Sequence, residues 1–197
     1  MARSLCNQCH YPIKSCVCRF VRRVDNQISV WVLQHPHEVS QAKSTTPLLQ
    51  LSLTSVQVCI GELPSDFSQI QALPTEHCAV LYPSADATAV ETLNNTDRSA
   101  IKHLIVLDGT WSKVHRLWQS NPWLHTLKAV SFAHVPNSRY LIRKANREQS
   151  LSTIEACAHC LHYLEQLDTT DLLTLLDGFV EVQTQHMPSH VRSRYQL

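Results

Sequence analysis

His103-Leu-Ile-Val-Leu-Asp108-Gly109-Thr110-Trp111 is an apolar run of strand length that ends in an acid, a glycine and an indole. An unbroken apolar run of this kind suits a strand covered on both faces, as in a parallel sheet packed between helices. Ligands of such open sheets bind beyond the carboxyl ends of the strands, so Asp108 stands where a site residue would stand. Two other runs end alike: residues 28–35 (ISVWVLQH) meet Pro36, and residues 78–82 (CAVLY) meet Pro83-Ser84. Residues 56–60 and 128–132 are further strand-length segments. Helices are expected at 40–53, 86–94, 112–119, 152–167 and 171–184, the most regular being 152–167 with Ile154, Ala158, Leu161 and Leu164 on one face. Strands alternating with helices imply an α/β fold built on a mostly parallel sheet with flanking helices.

The composition is compatible with that reading and removes several functions. A chain of 197 residues, 44% apolar and 17% charged, is globular material for one domain with room for a small appendage. It holds only three glycines, Gly61, Gly109 and Gly178, none near another. A glycine-rich phosphate loop or dinucleotide turn is therefore excluded. Net charge is +1, yet it is distributed in blocks: +4 over residues 1–43, −6 over 44–97, +8 over 98–147, −7 over 148–187 and +2 beyond. Blocks of this size can fold into one basic face, which a polyanion requires, or interleave into ordinary solvated surface. The first residues, Met1-Ala2-Arg3-Ser4-Leu5-Cys6, form no apolar signal core, and no run reaches membrane-spanning length. The chain thus reads as cytoplasmic and without a membrane partner, and its cysteines as reduced.

Cys6-x2-Cys9-x6-Cys16-x-Cys18 puts four thiols within 13 residues. Two close pairs joined by a short turn can close a tetrahedral sulfur site on structural zinc, leaving no open position for catalysis. Residues 1–24 lack periodicity and a core of their own, so the metal would supply most of their folding free energy. Cys157-x2-Cys160 has no second ligand pair and reads as buried helix packing, as do Cys59 and Cys78 in their strands.

At the strand ends, Asp108 could serve as a general base or hold a proton-bearing group, with Trp111 as a stacking face. Equally, Asp108 could cap the helix that follows while Trp111 packs. His35 is a ligand contact or a hydrogen-bonded structural residue. Arg139, Arg143, Lys144 and Arg147 fall within nine residues and could meet phosphates. Ser152-Thr-Ile-Glu155 fits a capping box, whose helix N-terminus can also receive a carboxylate.

The cysteine pattern, LQHP (33–36), LYPS (81–84), LDGTW (107–111) and YLIRK…LSTIEA (140–156), in that order, resemble the DTW-domain family, named for its Asp-x-Thr-Trp motif. The resemblance covers nearly the whole chain. It implies a tRNA-uridine aminocarboxypropyltransferase, which moves the 3-amino-3-carboxypropyl group of S-adenosylmethionine to a uridine N3 and releases methylthioadenosine. It also implies a SPOUT-like knotted fold at residues 25–197, following a zinc-binding knuckle at 1–24. On that basis Cys6, Cys9, Cys16 and Cys18 hold zinc, and Asp108 meets the uridine N3–H. His35, Pro36, Ser84, Leu107 and Trp111 line the cofactor rim. Ser152 and Thr153 take the cofactor's amino-acid end, with Glu155 near its ammonium. Arg19, Arg22, Arg23, Arg143, Lys144 and Arg147 are the expected tRNA contacts. The competing readings are a SPOUT-type RNA methyltransferase, distinguished by an adenosylhomocysteine by-product, and a non-catalytic zinc-bearing RNA-binding module.

Overall fold

The computed structural model of the protein describes residues 4–142, 150–185 and 187. In chain order its strands and helices are β1 (Ser29–Gln34), α1 (Thr46–Ser52), β2 (Val56–Ile60), α2 (Ser68–Gln71), β3 (Cys78–Leu81), β4 (Thr88–Ala89), α3 (Asn95–Ala100), β5 (His103–Asp108), α4 (Trp111–Ser120), β6 (Lys128–Ser131), α5 (Thr153–Glu165) and α6 (Thr170–Thr184). The six strands form one sheet in the order β2-β1-β5-β3-β6-β4, and each registered pair among the described residues is parallel. All carboxyl ends therefore lie along one edge.

Alternation along each strand divides the interior in two. Val30, Val32, Leu104, Val106 and Ala79 face a core shared with α1, α5 and α6, whereas Trp31, Leu33, Ile105, Leu107 and Val80 face a core shared with α2 and α4. Most of these side chains are fully buried, each contributing roughly 1.5–3 kcal/mol relative to exposure. Both faces of the sheet are covered, which is why its central strands are apolar throughout rather than alternating.

The expected strands recur within a residue or two, and two of the expected helices change. The helix expected over 40–53 begins only at Thr46, with Pro47 in its first turn, where a missing N–H costs nothing. The helix expected over 86–94 is absent. Thr88 and Ala89 instead pair with Val130 and Ser131 at the sheet edge, and a 3-10 turn covers Val90–Thr92. The β-branched Thr88 and Val90 suit this extended path. The helical start is displaced to Asn95, because the Asn94 Oδ1 accepts the Asp97 N–H at 2.8 Å and caps α3.

The cysteine-bearing segment lies against α6. Cys9 and Val17 are buried in the same core as α5 and α6. The Tyr11 and Phe179 rings lie 5.4 Å apart, and Arg19 pairs with Glu181 at 2.7 Å. Gly178 lies beneath Phe20, and any side-chain carbon there would enter the Phe20 ring. None of the described helices is long and apolar enough to cross a membrane.

Candidate active site and cysteine centre

The strand order reverses around β5. From β1 the chain steps outward to β2, β3 and β4 are then laid down on the other side, and β5 returns to lie between β1 and β3 before β6 fills the gap between β3 and β4. A crevice opens at the carboxyl ends of strands where the order reverses in this way. Asp108 ends β5 at that position, in register with Gln34 of β1.

Asp108 is 6% exposed, and its two oxygens are held from two elements. The Gln34 Nε2 donates to Oδ2 at 2.8 Å, and the Thr153 hydroxyl donates to Oδ1 at 2.5 Å. Hydrogen bonds to a charged group are worth roughly 1.5–3 kcal/mol each, so the carboxylate is firmly oriented. Asp108 does not cap α4, whose N-cap is Thr110. Its negative charge lies instead at the start of α5, where the helix dipole favours it.

Two clefts meet beside it. One, about 170 Å³, is mostly apolar and is walled by Leu81, Tyr82, Pro83, Val106, Leu107, Trp111, Val114, Phe132, Leu151 and Ala156. The other, about 130 Å³, is polar and is walled by Glu38, Gln41, Lys43, Ser44, Thr45, Asp108, Thr110, Tyr140 and Ser152. Gly109 and Thr153 belong to both. A Cβ at Gly109 would lie 3.0 Å from the Lys113 Cβ, so glycine keeps the floor of the junction low enough for α4 to start there.

The expected site residues separate into three groups. Leu107, Trp111 and Thr153 line the apolar cleft, and Asp108, Ser152 and Thr153 line the polar one. Trp111 is 39% exposed where it lines the apolar cleft. His35, Pro36, Ser84 and Glu155 line neither cleft among the described residues. His35 follows Gln34 on the strand and so points to the opposite face, where its Nδ1 accepts the His37 N–H at 3.2 Å and its Nε2 lies 3.4 Å from Glu62. Burial lowers its pKa below the ordinary value, against the pull of Glu62. Pro36 opens an exposed turn, and the half-buried Ser84 donates its N–H to the Tyr82 carbonyl beyond the apolar cleft.

Glu155 is buried, 1% exposed. One oxygen accepts the Ser152 N–H (2.7 Å) and hydroxyl (2.6 Å), the other accepts the Arg139 N–H (2.6 Å), and the Ser138 hydroxyl reaches both. The capping box thus closes and also anchors residues 138–139 to α5. Sequence reasoning missed Gln34, Lys43, Tyr82 and Tyr140. Gln34 carried a signal, as the first polar residue after a buried apolar run.

Cys6, Cys9, Cys16 and Cys18 bring their sulfur atoms within 4.8 Å of one another. Cys6 and Cys18 are 3.6 Å apart, and Cys9 and Cys16 are 3.8 Å apart. A tetrahedron with zinc–sulfur bonds of about 2.3 Å has edges of about 3.8 Å, so the four thiols fit that ion. The backbone N–H groups of Cys9 and Gln8 point at the Cys6 sulfur and lower its pKa to about 6. Burial, the first of several causes, pushes Cys18 up to about 12. Cys157 and Cys160 are fully buried free thiols, as packing residues should be.

Of the expected polyanion contacts, Arg19 lies over the Phe20 ring as well as pairing with Glu181. The Arg22 guanidinium donates to the Arg19 and Val21 carbonyls, and Arg23 is exposed. Arg143, Lys144 and Arg147 lie outside the described residues.

Comparison with known proteins places the chain among named relatives. A tRNA-uridine aminocarboxypropyltransferase 2 of Drosophila melanogaster is 31% identical over 206 residues, covering 99% of this chain and 76% of that protein. The enzyme of the same name from Mus musculus is 30% identical, covering 93% of this chain and 65% of its own length. A tRNA-uridine aminocarboxypropyltransferase A of Arabidopsis thaliana is 24% identical, covering 98% of this chain and 88% of its own length. No solved structure gives a significant match. The sequence model of the DTW domain matches residues 3–184, which include the cysteine centre, the β5 terminus and the start of α5. The chain belongs to the DTW-domain family, and its Asp108-Gly109-Thr110-Trp111 is the segment on which both clefts converge.

Proposed function

We propose that the protein transfers the 3-amino-3-carboxypropyl group of S-adenosylmethionine to N3 of a uridine in tRNA, releasing methylthioadenosine. The observation that carries this reading is the meeting of an apolar and a polar cleft beside Asp108. The donor has the same two-part character, an adenosyl thioether half and a zwitterionic amino-acid half. The names of the fly, mouse and plant relatives support the same activity.

When bound, the donor supplies a carbon activated by sulfonium: the N3–C bond forms as the C–S bond breaks, and the electron pair leaves on a neutral thioether. The chain's own residues supply position. Leu107, Trp111 and Tyr82 enclose the adenosyl half and exclude water. Asp108, with one hydrogen bond fixed on each oxygen, turns its remaining lone pairs toward the junction and accepts the uridine N3–H. Alignment of the two reactants then supplies much of the rate. Ser152 and Thr153 keep Asp108 and the start of α5 in place.

The SPOUT-like knot belongs to this proposal. Its support is that the stretch after β6 returns between two earlier elements, Tyr140 on the Lys43 carbonyl at 2.6 Å and Thr153 on Asp108. Zinc in a knuckle of residues 1–24, a catalytic domain over 25–197, tRNA contacts through Arg19, Arg22, Arg23, Arg143, Lys144 and Arg147, and a cytoplasmic site of action complete it. The test is mass spectrometry of tRNA nucleosides after incubation with protein and S-adenosylmethionine. Aminocarboxypropyluridine with methylthioadenosine is expected; methyluridine with adenosylhomocysteine, or an unchanged tRNA, overturns the reading.

A further inference from the structure

Among the described residues, two carboxylates line the polar cleft, Asp108 and Glu38, and their surroundings suit them to different tasks. Each Asp108 oxygen already accepts one hydrogen bond, from Gln34 or from Thr153, and its remaining lone pairs are the ones that meet the acceptor N3–H. A cation set against Asp108 would stabilise its ionised form and make it a poorer base. The donor's α-ammonium is such a cation, so it calls for a different carboxylate.

Glu38 has the placement and the capacity. It belongs to the short turn Pro36–Glu38 that follows β1, and its side chain is only 16% exposed. The Lys113 ammonium of α4 pairs with its Oε1 at 2.6 Å, and Lys113 is not among the described residues lining either cleft. No hydrogen bond from the described residues reaches Oε2. A carboxylate has about four lone-pair sites on its oxygens, so the Lys113 ion pair fixes the side chain and leaves an oxygen for a second donor. Thr45, 4% exposed on the wall of the same cleft, brings the complementary group. Its hydroxyl oxygen accepts the Ile154 N–H at 3.4 Å, while its own O–H is donated to no described group. The cleft therefore offers an acceptor at Glu38 and a donor at Thr45, the two functions that an α-amino acid zwitterion needs.

We propose that Glu38 is the specificity residue for the donor's α-ammonium. The assignment rests on the function proposed above and makes the polar cleft the subsite for the amino-acid half. Anchoring the ammonium at Glu38 keeps its charge off Asp108, which stays basic enough to take the acceptor proton.

The test compares binding of S-adenosylmethionine with its analogue carrying a hydroxyl in place of the α-ammonium, and with methylthioadenosine, which lacks the whole amino-acid chain. Calorimetry on the full-length protein is suitable. The wild-type protein should prefer S-adenosylmethionine over the hydroxy analogue by about ten- to a hundredfold, the range for one hydrogen bond to a charged group. In Glu38→Gln, which keeps the shape and removes the charge, that preference should fall toward unity while methylthioadenosine affinity is retained. Wild-type protein without the preference, or a Glu38→Gln protein that keeps it in full, overturns the assignment. Equal weakening of all three compounds does so too, because it marks Glu38 as a support for α4 through Lys113 rather than a reader of charge. Wild-type protein that binds none of the three overturns the proposed function itself.

Discussion

The cysteine centre and the Asp108 strand end both gather polar groups about a point, and they are organised from opposite directions. Around Asp108 the sheet does the work. Gln34 and Asp108 are register partners on adjacent strands, and Thr153 is delivered by a capped helix of 13 residues. The four thiols sit on a segment with two 3-10 turns and one isolated bridge between Leu5 and Pro12. A few turn hydrogen bonds and the buried Cys9 and Val17 fix that backbone, and the four sulfurs it gathers could be closed by a cation. One site is organised by the sheet before any ligand arrives; the other rests on α6 and, under the proposed function, would be completed by its metal.

Metal removal should expose this difference most strongly. Structural zinc contributes many kcal/mol to small sites, and even several kcal/mol would lower Tm by roughly 10 °C in a chain of this length. Chelation should therefore strip hydrogen-exchange protection from residues 4–24 and lower Tm, while protection across β1 and β5 is retained below the new midpoint. Unchanged melting and unchanged protection after verified metal loss would remove the contrast.

Asp108→Asn should show the reverse pattern. Transfer activity should fall by about 10²–10⁴, the range for a positioned acid–base group. Stability should fall by only about 1–3 kcal/mol, because one amide face meets the donors Gln34 and Thr153. Paired kinetics and thermal melts check both halves, and full activity in this variant would remove Asp108 from the chemistry.

The smallest expected effect sharpens the account of the cysteine segment. Gly178→Ala pushes a methyl into the Phe20 ring and should cost about 1–3 kcal/mol by overpacking. Metal content and activity per folded molecule should survive. A loss of zinc in this variant, measured by elemental analysis, would show that the seat on α6 helps define the site and not only its attachment.

Much of this was legible in the sequence, for physical reasons that differ from place to place. The four thiols are adjacent in the chain, so spacing alone revealed them. Asp108 and Trp111 were visible because an apolar strand ended on them. His35 was left between a ligand contact and a structural residue because strand alternation, which decides the face a terminal residue takes, had no fixed phase there; it is Gln34 that points toward Asp108. The capping box of Glu155 was legible from local spacing, but its further donors, Ser138 and the Arg139 N–H, were not, because they come from a segment 16 or 17 residues away. Lys43 gave no signal as a wall of the polar cleft for the same reason: its neighbours there, Asp108, Tyr140 and Ser152, are distant in sequence. Edge pairing of Thr88 and Ala89 with β6 likewise overrode the local helical reading of residues 86–94.

The contact of Phe20 with Gly178, and of Arg19 with Glu181 across 162 residues, also sets an order of events in synthesis. The cysteine segment is made well before the helix on which it rests. Contacts of such long sequence separation form late and slowly. The nascent thiols must therefore take up metal, or stay reduced, with the apolar side of Tyr11 and Phe20 uncovered until α6 arrives. Docking onto α6 is what covers the cysteine segment.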